Sequence, residues 1–423
     1  MYDVYLDDVP VGTLTPDGRR LAFGYATDAA LDAGGVPISV RLPRRGEPYG
    51  DADARPFFEN LLPEAEFRRL LAAQLRLSGG NTAGLLGAIA GECAGAVSIW
   101  PISEQPPDRP SYHDLSTDEL RHLFAAPDDP ALVEAQRRGR LSLAGVQPKL
   151  AVRRDGYRWL LGERGAATTH ILKRTRVGAP YLVENEFFCM KLAAASGLDV
   201  PDVERVDAGV PLLAVRRFDR ITDENGIHRV HQEDFCQATG TLPTAKYEAE
   251  GGPTLERCAD VLLEHSSLPI ADLRRLVGWV AFNYFVGNED AHAKNLALLY
   301  GADGLRLAPF YDLVSTTVYK GLSRKSAMSI GGERRYAYVE LRHWERLARA
   351  LRVPWRAVRR AVTETGERMT VELDGVRGQA VAAFGEVSLL DDVVTGVRRR
   401  IEKALLYTSA TRLSTQSRSE LPL

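Results

Sequence analysis

The chain has 423 residues, and with 45% hydrophobic residues it can bury more than one core, so two or more folded units are expected. Charged residues make up 26% of the chain and nearly cancel, leaving a formal net charge of -2. This balance excludes a protein held to nucleic acid or membrane surfaces by bulk positive charge.

The N-terminal stretch "MYDVYLDDVPVG" carries acids where a signal peptide would carry basic and then apolar residues. No uninterrupted apolar run approaches the length needed to span a membrane. The four cysteines, Cys93, Cys189, Cys236 and Cys258, have no CxxC spacing and no pairing pattern. These features predict a cytoplasmic protein with reduced cysteines and no membrane partner.

The first third of the chain predicts a small α/β domain at 1–105, followed by a connector. The segment "YDVYLDDVPVGTLTPDGRRLAFGY" alternates as strands joined by tight turns do. Next, "RPFFENLLPEAEFRRLLAAQLRL" has helical spacing around Pro63, which predicts two helices or one interrupted helix. Four prolines between residues 101 and 110 are typical of a connector, and we place it at 106–139.

The remainder predicts an α+β core at 140–402, with a sheet-rich part to about 222 and a helical part after it. Strand candidates are "KLAVRRDGYRWLL", "THILKRT", "VERVDAG" and "PLLAVRRFDR", with the helix "PYLVENEFFCMKLAAASG" among them. Beyond residue 230, "HQEDFCQATG", "TLERCADVLLEHS" and "ADLRRLVGWVAFNYFVGN" have helical spacing. The polar, Ser/Thr-rich end at 403–423 predicts a flexible tail.

The stretch "GNEDAHAKNLALLY" places several polar groups directly before an apolar strand candidate. After "LALLY" come the turn "GADG" and a second strand candidate in "LRLAPFYDL". Because a hairpin brings its ends together, Asn295 and Asp312 are expected side by side, with Asp290 close to them. The sequence therefore predicts a convergence of two carboxylates and one carboxamide.

Phosphoryl transfer uses this combination of groups: one acid orients the attacking hydroxyl, while an Asn and a second acid hold magnesium. The spacing from Asp290 to Asn295 is that of the protein-kinase catalytic loop. A kinase also needs a strand lysine held by a helix glutamate, and Lys173 with Glu186, or less favourably Glu184, fits that requirement. The stretch "SLAGVQPKLAV" does not match a glycine-rich phosphate loop, since it contains only Gly145.

Eight segments in order, "SLAGVQPKL", "THILK", "NEFFCMKLA", "RRFDR", "HQEDFCQATG", "YEAEGGP", "GNEDAHAKN" and "PFYDL", resemble the HipA family of bacterial toxin kinases. The N-terminal "VYLDDVPVGTL" and "FFENLLPE" resemble that family's small first domain. The resemblance implies a two-lobed, protein-kinase-like α+β core preceded by a small α/β domain. It also implies a Ser/Thr protein kinase of a type II toxin-antitoxin system that binds ATP and Mg2+.

The resemblance assigns roles to individual residues. Asp290 would be the catalytic acid, Asn295 and Asp312 the metal ligands, and Ser142 the autophosphorylated residue that limits the toxin. The nucleotide would also be contacted by Ala144, Gly145, Val146, Gln147, Pro148, Lys149, Lys173, Arg216, Phe218, Gln232, His292 and Tyr311.

The implied partners are a HipB-like helix-turn-helix antitoxin, operator DNA reached mainly through it, and an aminoacyl-tRNA synthetase as the protein substrate. Phosphorylation of that substrate would inhibit translation and growth. Two other functions stay open: a small-molecule phosphotransferase with the same site, and a catalytically idle corepressor module.

Overall fold

The computed structural model describes residues 1–28, 35–126, 130–145 and 147–416. Backbone contacts divide the chain into two compact units. The first unit comprises Met1–Val183, Pro201–Lys246 and Ala297–Ala308, and the second comprises Glu184–Val200, Tyr247–Leu296 and the chain from Pro309 onward. The predicted domain boundaries follow the sequence rather than these discontinuous units, and they remain predictions.

The first unit opens with an antiparallel sheet of strand order β3-β2-β1-β4. Its strands are β1 Tyr2–Leu6, β2 Val9–Asp17, β3 Arg20–Tyr25 and β4 Val97–Pro101. Later in this unit come the helices α1 Asp51–Asn60, α2 Ala65–Gln74 and α3 Thr82–Ile89. The chain breaks between α1 and α2 beside Pro63, which confirms the two-helix alternative. Sheet and helices share one buried apolar core centred on residues such as Phe23, Phe58 and Leu86.

A second antiparallel sheet in this unit has the strand order β5-β7-β6-β8-β10-β9. Its strands are β5 Ser111–Leu115, β6 Lys149–Asp155, β7 Arg158–Glu163, β8 His170–Arg174, β9 Val203–Asp207 and β10 Pro211–Arg216. Every strand candidate from 149 to 216 is therefore confirmed. One face of this sheet is buried in its own core, which includes Leu150, Leu172 and Leu212.

Residues 106–139, predicted as a connector, are largely folded. They contain β5 and the helices α4 Thr117–Leu123 and α5 Pro130–Gly139. Helix α5 contributes Val133 to the first apolar core and Leu132 to the second. Because adjacent residues on this helix are buried in two different cores, the helix packs against both sheets of the first unit.

The remaining strands of the first unit form two hairpins and one single strand, with a short helix after it. The hairpin β11 Arg220–Asp223 and β12 Gly226–Arg229 precedes β13 Gln232–Asp234, which continues into the short helix α7 Phe235–Thr239. The helical prediction for "HQEDFCQATG" is thus wrong in its first half, because Gln232–Asp234 pairs with β14 as a strand. The predicted hairpin is confirmed as β14 Ala297–Gly301 and β15 Gly304–Leu307.

The second unit is mainly helical. Its helices are α6 Leu182–Ala195 (from Glu184 onward), α8 Leu255–His265, α9 Pro269–Val286, α10 Leu341–Ala350, α11 Trp355–Phe384 and α12 Ser388–Gln416. Helix α9 lies at the centre, since Leu276, Trp279, Phe282 and Phe285 on different sides of it are all buried. A helix that is apolar around its circumference is stable only when other helices cover it.

Helix α12 continues through residues 403–416, where the sequence predicted a flexible tail, and 417–423 lie outside the described residues. Within the described part of the chain, every helix is too short or too polar to cross a membrane. The four cysteines are buried, and no disulfide bond joins them. Their reduced state stays a prediction.

Candidate active site

The loop that carries Asp290 begins where helix α9 ends. Gly287 caps the helix in the left-handed conformation, with φ of 74°, and a Cβ atom there would lie 2.4 Å from the Thr317 hydroxyl. The side chain of Asn288 then donates to Asn283 Oδ1 at 2.8 Å, and its own Oδ1 accepts the Asp290 amide at 3.1 Å. These bonds fix the path of the loop immediately before the predicted catalytic acid.

Asp290 is exposed, whereas Glu289 and Ala291 beside it are buried. Its carboxylate accepts a hydrogen bond from the hydroxyl of Tyr247, at 2.8 Å between Oη and Oδ1. One oxygen is thereby oriented by the protein, while the exposed side chain stays accessible to a substrate. Such an arrangement suits a base that must meet an incoming hydroxyl.

The backbone folds tightly after Asp290 and brings Asn295 back to it. The Asp290 carbonyl accepts from the His292 amide at 2.9 Å and from Asn295 Nδ2 at 3.3 Å. Residues Ala293–Asn295 form one turn of 3-10 helix. Because the Asn295 nitrogen is held by this carbonyl, its amide oxygen is the atom that the predicted metal ion would use.

Hydrogen bonds on both sides of Asp312 join its segment to the loop of Asp290 and Asn295. Before it, the Tyr311 hydroxyl donates to the Lys294 carbonyl at 2.7 Å. After it, Thr316 accepts the Glu289 amide at 2.8 Å through its hydroxyl. Asp312 itself has φ of 59°, a left-handed conformation uncommon for a residue with a side chain. The second unit therefore brings together the loop of Asp290 and Asn295 and the segment of Asp312.

His292 and Glu289 lie on the inner side of this loop. The ring of His292 packs edge-on against Tyr247, with 5.4 Å between centroids, so it supports the residue that orients Asp290. Burial raises the pKa of Glu289, and Arg324 and Arg400 offset this only in part. Adjacent acids thus have different environments, and the exposed one is the candidate for chemistry.

The predicted phosphate-binding residues lie in the first unit. Lys149 of β6 and Lys173 of β8 are directly opposite each other in the antiparallel register, and Lys173 is buried. Two cations therefore lie at one position of neighbouring strands, and ammonium groups of this kind bind phosphate oxygens.

The loop before β6 has a backbone suited to close approach by a ligand. Gly145 has φ of 104°, and the Ala144 carbonyl accepts from the Lys149 ammonium group. Gln147 Nε2 donates to the Arg174 carbonyl at 3.0 Å, which ties the loop to the end of β8. Pro148 precedes β6 directly, and Val146 lies outside the described residues.

The predicted hinge follows β10, and it contains both exposed and buried positions. Arg216 is exposed, and Phe218 is half-buried. Between them, Arg217 is buried in an ionic cluster that also includes Glu92, Asp219, Arg220 and Arg229. Gln232 joins the same cluster, since its Nε2 donates to Asp219 Oδ2 at 2.9 Å.

Glu92 is the centre of this ionic cluster. Its carboxylate is fully buried and lies within 3.1 Å of Arg217, Arg220 and Arg229 nitrogens. Burial raises its pKa, but the guanidinium groups of Arg220, then Arg229 and Arg217, prevail and lower it to about 2. The predicted hinge segment is thus held by an ionised acid from the N-terminal 100 residues.

Two other predicted residues take defined positions. Ser142 is 1% exposed, and its hydroxyl donates to the Leu61 carbonyl at 2.7 Å. Glu186, predicted to hold Lys173, is a buried residue of α6, and so is Glu184. The pairing of Lys173 with either acid stays a prediction.

Sequence reasoning did not assign roles to Tyr247, Glu92 or Lys294. Tyr247 occurs in the quoted segment "YEAEGGP", but it lies 43 residues before Asp290, and spacing cannot reveal that hydrogen bond. Lys294 sits inside the catalytic-loop motif, and its carbonyl, rather than its amine, provides the contact described above. The sequence around Glu92 does not predict its ion pairs, because its three arginine partners are more than 120 residues away.

The donor set also fits magnesium, which prefers hard oxygen ligands and keeps several water or phosphate oxygens. Within the described residues, no group of three or more His, Cys, Asp or Glu side chains is placed to hold a metal ion. A kinase-type site needs only one Asn and one Asp from the protein, since the nucleotide phosphates supply further oxygens. Asn295 and Asp312 are the predicted pair.

Comparison with known families agrees with this geometry. A family model described as the HipA N-terminal domain matches residues 2–100, and one described as the HipA-like C-terminal domain matches 141–373. The chain belongs to the HipA family. Both matches agree with the family resemblance of the quoted motifs.

Relatives of this HipA-family chain match over most of its length. The protein Y4mE of Sinorhizobium fredii is 41% identical over 370 residues, which are 85% of this chain and 88% of Y4mE. The serine/threonine-protein kinase toxin HipA of Shewanella oneidensis is 31% identical over 348 residues, 78% of each chain.

A solved structure of the Shewanella oneidensis HipA, HipB and operator DNA complex has a TM-score of 0.85 and 27% identity to this chain. The match covers 97% of this chain and 99% of that one. The predicted α+β, kinase-like fold is thereby confirmed.

Proposed function

We propose that this HipA-family chain is an ATP-dependent serine/threonine protein kinase. The observation that carries the proposal is the way Asp290, Asn295 and the Asp312 segment are tied to one another by the Tyr311–Lys294 and Glu289–Thr316 hydrogen bonds. This set of groups at this spacing suits phosphoryl transfer, in which positioning and charge neutralisation dominate catalysis.

In the proposed reaction, the oxygen of a serine or threonine hydroxyl attacks the γ-phosphorus of ATP, and the bond from that phosphorus to the ADP oxygen breaks. Asp290 orients the hydroxyl and accepts its proton, while Tyr247 holds the carboxylate in place. Asn295 and Asp312 would hold Mg2+, which supplies neutralisation of the phosphate charge when bound.

The remaining nucleotide contacts are proposed from the family resemblance and from local geometry. Lys149 and Lys173 offer a pair of cations to phosphate oxygens, and the backbone at Gly145 permits close approach. Backbone groups of Arg216 and Phe218 would bond the adenine, with Gln232, His292 and Tyr311 lining the site. Glu186 is proposed to orient Lys173.

Autophosphorylation of Ser142 is proposed as the limit on activity. The Ser142 hydroxyl is buried and bonded to the Leu61 carbonyl. It can therefore be phosphorylated only after this segment leaves its position, and a phosphate dianion could not return to the same buried site. The phosphorylated segment would therefore stay outside its buried position, and the kinase would limit its own activity.

Partners and substrate are proposed by family membership. The solved neighbour contains HipA, HipB and operator DNA, which supports a HipB-like antitoxin and DNA reached through it. The proposed substrate is an aminoacyl-tRNA synthetase in the cytoplasm, whose phosphorylation would halt translation and growth.

The test is phosphate transfer from γ-labelled ATP with magnesium to a panel of purified aminoacyl-tRNA synthetases. Wild type should label serine or threonine in at least one of them, and Asp290→Asn should lower the rate about 10²–10⁴-fold. Asp303→Asn, an exposed acid in the β14–β15 turn, is the matched control and should keep the rate. Label only on an added small molecule would indicate a small-molecule phosphotransferase, and no ATP binding would indicate the idle corepressor.

A further inference from the structure

An open cavity of about 720 Å³ lies within the second unit and does not include Asp290, Asn295 or Asp312. Five arginines and two acids line it, so its walls carry an excess of positive charge. The volume falls within the range typical of small-molecule sites, about 300–1,000 Å³. We propose that this cavity binds a small phosphorylated ligand with an apolar body, at a site separate from the proposed catalytic one.

The first support is a buried hydroxyl on the cavity wall. Ser196 is 2% exposed and lines the cavity, and its Oγ atom has no hydrogen-bond partner among the described residues. Buried polar side chains are nearly always hydrogen-bonded, because losing water without a replacement partner is costly. A ligand oxygen in the cavity would supply the missing partner.

The second support is the N-terminus of α11, whose first turn lines the cavity through Pro354, Arg356 and Ala357. Pro354 is the N-cap residue and provides no side-chain acceptor to the first-turn amides. The N-terminus of a helix of this length favours an anion through its amide groups and its dipole. Arg356, exposed on the same turn, adds a cation next to these amides.

The third support is the distribution of charged partners around the cavity. Arg275 is paired with Asp199 at 2.7 Å and with the buried Asp272 at 3.3 Å. Arg360 lies 3.9 Å from Glu364. These pairs account for both acids of the cavity wall, so the excess cations are the remaining arginines, including Arg356.

Arg368 and Arg274 complete the set of donors. A Cβ atom on Gly197 would lie 2.6 Å from Arg368 Nη1, so a glycine is needed for this guanidinium to reach the Ser196 end of the cavity. Its Nη1 also lies 3.5 Å from the Ser196 carbonyl. Arg274, the fifth arginine, is exposed on α9. Guanidinium, amide and hydroxyl groups are all donors, and phosphate accepts from all three.

The apolar part of the wall defines the body of the ligand. Leu198 and Phe310 line the cavity together with Gly278 of α9. A Cβ atom on Gly278 would meet no atom within 4 Å, so the side of α9 at this point faces open space. An apolar group joined to the phosphate would fill that space, whereas free inorganic phosphate would leave it empty.

The test is calorimetric titration of the full chain with phenyl phosphate in magnesium-free buffer, with inorganic phosphate and benzoate for comparison. Wild type should bind one phenyl phosphate, more tightly than either comparison ion. Arg356→Ala should weaken binding about tenfold, because a charge-assisted hydrogen bond is lost. Ser196→Ala should weaken binding without loss of stability, since its hydroxyl has no protein partner to lose.

Gly278→Leu should abolish binding by filling the cavity, while Gly375→Leu, at an exposed helical glycine of α11 with similar free space, should not. Arg349→Ala, an exposed arginine outside the cavity, should also bind normally. Absence of phenyl phosphate binding, or equal weakening by Arg349→Ala and Arg356→Ala, would overturn the proposal. Binding that is lost in Asp312→Asn but kept in Arg356→Ala would also overturn it, because it would belong to the nucleotide site.

Discussion

Replacing Glu92 with glutamine removes the central anion of the ionic cluster behind the hinge while keeping the shape of the side chain. Arg217 and Arg220 would then share one buried carboxylate, that of Asp219. Arg229 would keep only the more distant carboxylates of Asp7 and Asp8, at 4.0 and 3.8 Å. Loss of one partner from a buried ion pair costs about 3–5 kcal/mol, because the other charges stay buried without compensation. The amide nitrogen of glutamine would also point at a guanidinium group, so we expect a cost within this range.

The assay is urea unfolding of purified Glu92→Gln followed by intrinsic fluorescence, with Glu134→Gln as the matched control. Glu134 pairs with Arg137 on the surface of α5, with both side chains nearly half exposed, so its loss should cost at most about 1 kcal/mol. A second readout is ATP affinity, which should fall in Glu92→Gln because the hinge segment loses its anchor. A cost below about 1 kcal/mol together with unchanged ATP affinity would refute the assigned role of the cluster.

Two other predictions test single side chains. Tyr247→Phe should lower the phosphoryl-transfer rate about tenfold with little change in KM for ATP, since it removes a hydrogen bond worth about 1.5 kcal/mol to the Asp290 carboxylate. Tyr157→Phe, almost fully exposed, is the control, and an unchanged rate in Tyr247→Phe would remove Tyr247 from the mechanism. Burial raises the pKa of Glu233 to about 7 despite hydrogen bonds from Ser39, Tyr300 and Val40, so the folded state binds a proton that the unfolded state releases near pH 4.5. The free energy of unfolding should therefore fall by up to about 3 kcal/mol as pH rises from 4.5 through 7. Glu233→Gln should remove this dependence on pH. A dependence of the same size in Glu233→Gln would contradict the pKa assigned to Glu233.

Local signals in the sequence predicted much of the fold. Alternating residues predicted the strands from β6 to β10, and the turn "GADG" predicted the β14–β15 hairpin, because both depend on neighbouring residues. The strand and helices within 106–139 were not predicted for the same reason: the prolines are a local signal, whereas the burial of Leu132 and Val133 in two cores depends on distant residues. Likewise, Gln232–Asp234 has helical spacing but pairs with residues 63 to 67 positions later, and tertiary pairing overrides local propensity.

The candidate site was predictable where its residues belong to one short motif. Asp290 and Asn295 lie five residues apart, and the hairpin places Asp312 near them, so spacing alone indicated their convergence. The supporting contacts of Tyr247 and Glu92 could not be predicted, because each joins segments far apart in the chain. The burial of Ser142 was also not predictable, since its partner carbonyl belongs to Leu61.

The most direct test of the account is the mass of the chain itself after incubation with ATP and magnesium, with the modified residue located by fragmentation. Wild type should gain one phosphate, on Ser142, and Asp290→Asn should gain none while still binding ATP. Phosphate that appears at the same rate in Asp290→Asn, or a wild-type chain that binds ATP yet transfers its phosphate to no protein residue, would contradict the assignment of this chain as a protein kinase.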